Sequence, residues 1–394
     1  MLDIAALRRD TPAVQNLIHF NNAGASLMPQ PVLEAIQKHL ILESEIGGYE
    51  AAEAAQAQTG RFHSSLAQLL NTSAGNIAGT ASATDAYARA LSSIPFQAGD
   101  VILTTDNDYV SNQLAFLSLR NRYGIKVVRA GDCAEGGVDL ADMELKIRQL
   151  QPRLVAVTHV PTNSGLVQPV AAIGELCRAH GLIYLVDACQ SVGQLPVDVT
   201  EINCDFLTAT CRKFLRGPRG TGFLYVSDRM LEAGFAPIFV DLHSAVWQSA
   251  DRFEVAPTAK RFEDWEFPVA LLIGAAVATD YALQIGLAAI ERRNSGLRHY
   301  LRQKLAEIPS VRILDEGKTL CNLITMEAVG TTATNLKKAL SSVKINTSVS
   351  PRGGALIDFT RKGVQEALRI SPHYYNTTDE IDVFADALKR LVPK

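Results

Sequence analysis

"LIYLVDACQSVGQLPVDVTEINCDFLTATCRKFLRGPRGTGFLYV" (182–226) decides the fold of this 394-residue chain. It holds three short apolar runs, at 182–188, 204–210 and 221–227, rich in Val, Leu, Ile and Thr. None alternates polar with apolar, so each reads as a strand covered on both faces, as in a parallel sheet packed between helices. The first run ends on Asp187 and the second on Arg212-Lys213, before a turn of Gly and Pro.

Outward from there the pattern continues. "DVILTTD" (100–106) and "RLVAVTHV" (153–160) are further strands of the same kind. "VAAIGELCRAHG" (170–181) has helical periodicity and stops on Gly181, a C-cap residue. Residues 153–188 therefore form a βαβ unit. "ATDAYARALSSI" (83–94) predicts a helix capped by Thr84 or its neighbour. Beyond a composition break at 228–262, residues 268–308 predict a long helical stretch interrupted near Gly286, apolar on every side at first and hence buried. Strand-like "VRIL" (311–314) and "NLITME" (322–327) follow, with helices at 333–343 and 379–391. The expected architecture is α/β: a large domain over 15–265 with a mostly parallel, seven-stranded-type sheet, and a smaller α+β domain over 266–394 joined by residues 1–14.

Composition narrows the function. A formal net charge of -3 leaves no basic footprint for nucleic acid. No run of eighteen apolar residues predicts a membrane span, and the N-terminus lacks the pattern of a secretory signal. Six scattered cysteines with no CxxC pair point to reduced thiols in the cytoplasm and away from zinc.

Ligands of open α/β sheets sit beyond the carboxyl ends of the strands. That rule gathers Asp106 to Tyr109, His159 to Asn163, Asp187 to Gln190 and Thr210 to Lys213 on one rim, with Thr84 at a helix start suited to an anion. A lysine amine can condense with a carbonyl. Pyridoxal 5'-phosphate requires such a lysine, an acid beside its ring nitrogen and a phosphate site. Lys213, Asp187, and Thr84 with Thr210 and Arg212 are residues of those types in that order.

These residues resemble the class V aminotransferases, the fold-type I pyridoxal-phosphate enzymes that include cysteine desulfurases, cystine lyases and isopenicillin-epimerase-like proteins. "HFNNAGASLMP" (19–29) is similar to the family's pocket-lining N-terminal segment, which implies Asn22 and Ala23 as substrate contacts. "VDACQSVGQLPVDV" (186–199) is similar to its Asp-x-x-Gln element and "TCRKFLRGP" (210–218) to its lysine element. The resemblance implies Lys213 as the covalent anchor, Asp187 at the pyridine nitrogen and Gln190 at the phenolic oxygen. It also implies Thr84, Thr210 and Arg212 at the phosphate, Tyr109 stacked on the ring, and Thr162 or Asn163, by register, beside the phenolic oxygen. "ALRISPHYYNTTDEID" (367–382) places Arg369 on the substrate α-carboxylate, where a guanidinium fork binds bidentately. "RFEDWE" (261–266) resembles the segment that family dimers lend to the partner's site, implying a homodimer with an interface-spanning active site. A structural role for Arg261 and Glu263 is the other reading, and His159 reads as structural.

Desulfurases of the family carry a nucleophilic cysteine ahead of the carboxylate arginine. Here that stretch is "TSVSPRGGALIDF" (347–359), without cysteine, and Cys321 lies in an apolar strand. "EIGGYEAAEAA" (45–55) resembles the ergothioneine-pathway sulfoxide lyases, which break a C–S bond without an enzyme thiol. The implied activity is C–S lysis of a cysteine-derived amino acid, with an aminotransferase or epimerase as the alternative. An intact Lys213, Asp187 and Arg369 argue against a protein that binds the cofactor without turnover.

Overall fold

A computed structural model describes residues 2–393. The five apolar runs become strands Val101–Thr105, Leu154–Thr158, Ile183–Asp187, Phe206–Thr210 and Gly222–Val226, each buried along its whole length. Ile77–Thr80 and Lys126–Ala130 complete a seven-stranded sheet. Across the sheet the order is 77–80, 222–226, 206–210, 183–187, 154–158, 101–105, 126–130. Only Gly222–Val226 runs antiparallel to its neighbours.

Successive residues enter opposite apolar layers, because side chains alternate across a strand. Val155, Val157, Tyr184, Val186 and Leu207 pack on one face. Leu154, Ala156, Ile183, Leu185 and Phe206 pack on the other. Burying each large side chain contributes about 1.5–3 kcal/mol, so both faces need helices. Helix Val170–Ala179 covers the first, and Gly181, at φ +66°, lies just past its end.

The smaller domain is a four-stranded antiparallel sheet in the order 311–313, 324–328, 366–370, 348–351. Leu336, Leu340, Ile381, Phe384 and Leu388, from helices Ala333–Ser342 and Thr378–Leu391, share its apolar cluster. The long helical stretch is two helices, Val269–Ile285 and Leu287–Ala306, bent by 78° at Gly286 (φ +87°). No single helix among the described residues is long and apolar enough to cross a membrane.

Packing departs from the division expected at 265/266. Ala275, Ala276 and Ala282 of helix Val269–Ile285 join the large-domain cluster, and Ala270 and Ala278 pack with Val32 and Ile36. Leu7 and Val14 join the large-domain cluster too, although Arg8 reaches across to Glu380 at 2.7 Å. Apolar composition fixes that such segments are buried, not which domain buries them. The stretch 45–55 holds a helix break: Gly47, at φ +101°, separates Gln30–Ile46 from Gly48–Ala54 and leaves Tyr49 exposed.

Candidate active site

A cavity of about 210 Å³ opens at the carboxyl ends of the large sheet. Lys213, Asp187, Tyr109, Thr84 and Thr162 line it. Adjacent strands put the acid and the lysine there: Ile183–Asp187 pairs in parallel with Phe206–Thr210, Asp187 opposite Thr208, and the chain then turns into Lys213.

Lys213 is buried, with no carboxylate oxygen within 4 Å among the described residues. Burial pushes its ammonium pKa down, helped by Arg212 and Arg369 and opposed by Cys189 and Asp187. A lysine whose neutral form is favoured is a competent nucleophile toward a carbonyl. Its turn is closed by Arg216 N donating to Lys213 O at 2.9 Å and Gly217 N donating to Cys211 O at 2.8 Å. Gly193 lets the neighbouring loop approach: at φ +91°, a Cβ there would lie 2.3 Å from the backbone of Phe214 and Leu215.

Arg216 holds the turn from behind, and sequence reasoning missed it. It sits at φ +63° with its guanidinium fully buried. It donates to Leu27 O (2.9 Å), Tyr374 Oη (2.8 Å) and Thr11 Oγ1 (2.7 Å) and lies 4.4 Å from the Tyr375 ring centre. A buried charge without a carboxylate partner is costly unless such hydrogen bonds and π contacts compensate it. An arginine in "RGP" gives no sequence signal for this.

Asp187 is held by two donors: Asn112 Nδ2 at 3.0 Å and Cys189 N at 2.9 Å. Asn112 is in turn shared with Thr158 Oγ1 and Asp108 Oδ1, each at 3.3 Å. Asp108 accepts from Tyr109 N (2.7 Å) and Gln113 (2.8 Å), and burial raises its pKa. Asn112 is also absent from the sequence-derived set, and Asp108 falls within the rim stretch 106–109 without a role of its own. Both lie on or just before helix Val110–Tyr123, which carries no local motif.

The anion end is built on helix Ala83–Ser93. Ser82, not Thr84, is its N-cap: Ser82 Oγ accepts from Asp85 N at 3.2 Å. Ser82 and Thr84 both line the cavity, as do Thr210, Arg212, Arg219 and Gly220. Gly222 permits the close fit, because a Cβ there would lie 2.6 Å from the Ser82 carbonyl carbon. Unspent backbone N–H groups at the helix start, hydroxyls and arginines are a donor set for a phosphate. Part of Arg212 is already committed, to Gly24 O.

On the facing wall the loop register resolves toward Thr162. Its hydroxyl accepts from Gln190 Nε2 at 3.1 Å and from Arg369 Nη1 at 2.8 Å, joining those two side chains. Asn163 points away and donates to Asp358 at 2.9 Å. Asn22 is buried outside the cavity wall, donating to Ser371 O (2.7 Å) and accepting from Tyr375 Oη (2.6 Å). Ala23 offers its carbonyl to Gln190 Nε2 at 3.1 Å. Arg369 arrives from the small domain, also donating to Thr162 O at 3.0 Å. Burial pushes its guanidinium down to about 10. Gln190 Oε1 and Arg369 Nε are buried without partners. Together with the free lysine and the helix start, these atoms fit a ligand carrying a carbonyl and anionic groups.

No cysteine occupies the stretch 347–359. Ser348 stands opposite Arg369 in the sheet, and the chain then closes a tight turn, Arg352–Gly354. Cys321 is buried and its thiol is pushed up to about 12. Cys189, within the rim stretch 187–190, lines the cavity and is half-buried. Its thiol is raised by burial and then by Asp187.

Segment 261–266 folds behind the anion end. Arg261 donates to Ala256 O (2.7 Å) and Leu231 O (3.1 Å), not to Glu263. Glu263 accepts from His63 Nε2 and Gly79 N, both at 2.6 Å, and contacts His243 Nε2 at 3.3 Å. Asp264 pairs with Arg89 of the anion-site helix. His159 is buried, with its pKa lowered to about 4 by burial.

Residues 18–384 match the family model for aminotransferase class-V. Over 396 residues the chain is 29% identical to a probable cysteine desulfurase of Pyrococcus abyssi, covering 98% of this chain and 97% of that one. It is 28% identical over 384 residues to a probable hercynylcysteine sulfoxide lyase of Mycobacterium tuberculosis, with 97% and 91% covered. The apo structure of cysteine desulfurase from Thermococcus onnurineus NA1 superposes with a TM-score of 0.91 at 26% identity, covering 100% of this chain and 98% of that one. The chain belongs to the class-V aminotransferases, a family of pyridoxal-phosphate enzymes.

Proposed function

We propose that this class-V enzyme is a homodimeric C–S lyase that acts by β-elimination on a cysteine-derived amino acid, without an enzyme thiol. The observation that carries the reading is the cysteine-free stretch 347–359, in which Ser348 pairs opposite Arg369 and a turn, Arg352–Gly354, closes beyond Pro351. Persulfide chemistry needs an accessible thiolate. At a pKa of about 12, buried Cys321 is ionised in roughly one part in 10⁵ at neutral pH.

Lys213 would carry the cofactor. Asp187 would hold the proton on its ring nitrogen, and Ser82, Thr84, Thr210 and Arg212 would hold its phosphate. Tyr109 would lie against its ring, and Thr162 with Gln190 would lie near its phenolic oxygen. When bound, pyridoxal phosphate supplies an electron sink for charge developing at the substrate Cα. Arg369 holds the substrate carboxylate, with Asn22 and Ala23 shaping that wall through Ser371, Tyr375 and Gln190. Lys213 Nζ, in its neutral form, would take the α-proton of the bound substrate. The C–S bonding electrons leave with sulfur, which takes up a proton, and one water hydrolyses the 2-aminoacrylate that remains to pyruvate and ammonia.

Assembly as a dimer is supported by an exposed apolar face. Hairpin Ala245–Ser249 and Arg252–Val255 exposes Trp247 and Phe253 near the chain's exposed Trp265 segment. Patches of this kind mark association surfaces, and C2 closure is the commonest solution.

Cys189 favours a second reading, desulfuration from a thiol inside the cavity. A panel of cysteine S-conjugates and sulfoxides, assayed for pyruvate and alanine, decides. Elimination yields pyruvate in proportion to the sulfur product, and Cys189→Ser leaves that ratio and the rate per bound cofactor intact. Alanine with a persulfide on Cys189 would establish the second reading. Ordinary amino acids with 2-oxoglutarate test transamination in the same panel.

A further inference from the structure

Behind the active site, between the large sheet and the small domain, lies a second cavity of about 360 Å³. It shares no lining residue with the first. Cavities of roughly 300–1,000 Å³ hold small ligands when a few polar groups converge on an apolar wall. Val167, Leu195 and Leu320 supply the apolar part.

Three buried residues of its wall carry a side-chain atom without a hydrogen-bond partner: His159 Nδ1, Asn294 Oδ1 and Asn322 Oδ1. Buried polar atoms are normally satisfied, so three orphans around one cavity call for an occupant. Their polarity is fixed by their other bonds. Asn322 Nδ2 donates to Pro372 O at 2.7 Å, so Oδ1 is the free atom. His373 Nε2 must donate to Phe214 O (2.8 Å), which leaves Nδ1 to accept from Asn294 Nδ2 (3.2 Å) and Asn294 Oδ1 free. Both asparagines therefore offer acceptors.

The same wall offers cations. Arg298 is half-buried and bonds Leu320 O and Ser295 Oγ, with no carboxylate within 4 Å among the described residues. Burial lowers its pKa, Cys321 and Glu291, which also line the cavity, oppose that shift, and a bound anion would add to their effect. Lys318 stands exposed on the wall, also without an ion-pair partner.

We infer that this cavity is a second binding site for a free α-amino acid. Its ammonium group meets the acceptors of Asn294 and Asn322, and its carboxylate meets Arg298 and Lys318. Occupancy has a route to the catalytic pocket. Gln194 Oε1 accepts from Asn322 N at 3.1 Å while its Nε2 donates to Gln190 O. His159 follows Thr158, whose hydroxyl contacts Asn112.

Equilibrium dialysis of labelled glycine against the cofactor-loaded enzyme tests the inference, since glycine has no β-carbon to lose a substituent from. Two glycines per chain are expected, one of them tracked by the cofactor's absorbance. Arg298→Met should lose the other, and Lys318→Ala should weaken it at least about threefold, with the absorbance titration unchanged in both. One glycine per chain, following the absorbance, overturns the site. So does a second class of binding that Lys318→Ala leaves unaltered, which decides the matter even if Arg298→Met does not fold. Loss of the absorbance response alone would count against the cofactor assignment and not against the cavity.

Discussion

On the floor of the pocket, Asp187 and Lys213 follow two neighbouring strands, the acid held by Asn112 and Cys189 N and the lysine carried on a hydrogen-bonded turn. On the facing wall, Arg369 reaches over from the other domain and is held by Thr162 and Asn21, with its Nε unpartnered. The floor's acid already has its hydrogen bonds from within the protein, which suits a cofactor site. The wall has capacity left over, which suits a group that arrives with each substrate. Preorganisation belongs where a ligand stays, and spare hydrogen-bonding capacity where one comes and goes.

If that contrast is right, the deepest loss comes from the floor. Lys213→Ala should abolish borohydride-reducible labelling and lower kcat by at least about a thousandfold, while some cofactor still binds through the phosphate site. Labelling of another lysine would break the assignment. Asp187→Asn should cost about a hundredfold or more, seen in the proton-abstraction step as a substrate deuterium isotope effect. Near-normal turnover would remove the acid from its role.

Changes on the wall should split differently. Arg369→Ala should raise KM and lower kcat, about tenfold or more in kcat/KM for each, because the carboxylate anchor both binds substrate and orients the Cα–H bond. A pure kcat effect with KM unchanged would place Arg369 with the floor. Thr162→Val removes the hydroxyl that joins Gln190 to Arg369, and should cost roughly three- to tenfold, mostly in KM. An effect as large as that of Arg369→Ala would mean that the wall is as rigidly organised as the floor.

The smallest expected effect lies behind both. Burial alone would raise the Glu263 pKa, but hydrogen bonds from His243 and His63 and from Gly79 N bring it down to about 2. A depressed carboxylate contributes stability that is fully present above its unfolded pKa, near 4.5, and is lost as pH falls through about 2. The pH dependence of Tm between 5 and 2 should therefore be shallower in Glu263→Gln. An unchanged slope would show that the brace on Gly79 does not matter to the fold.

The floor was legible because its signals are local. "LIYLVDA" and "CDFLTAT" announce buried parallel strands, and the residues ending such strands fall on the ligand side, so Asp187, Gln190, Thr210 and Lys213 are found without a structure. Thr84 was placed in the site, but the cap belongs to Ser82, because a serine and a threonine two residues apart satisfy the same sequence signal. Asn112 and Arg216 left no local trace, since each acts through a partner far along the chain.

Sequence by itself determined the alternation of strand and helix, the side of the sheet on which chemistry gathers, and the acid and lysine set at the ends of two buried strands. Those follow from periodicity and connection, which neighbouring residues encode. Only the tertiary structure decided that Thr162 faces the pocket and Asn163 does not, that helix Val269–Ile285 packs with the large domain, and that Cys321 lies away from the catalytic cavity, on the wall of the second one. Each of those outcomes turns on which of two chemically similar surfaces a residue meets. Such a choice is made by packing between segments hundreds of residues apart, and no local pattern contains it.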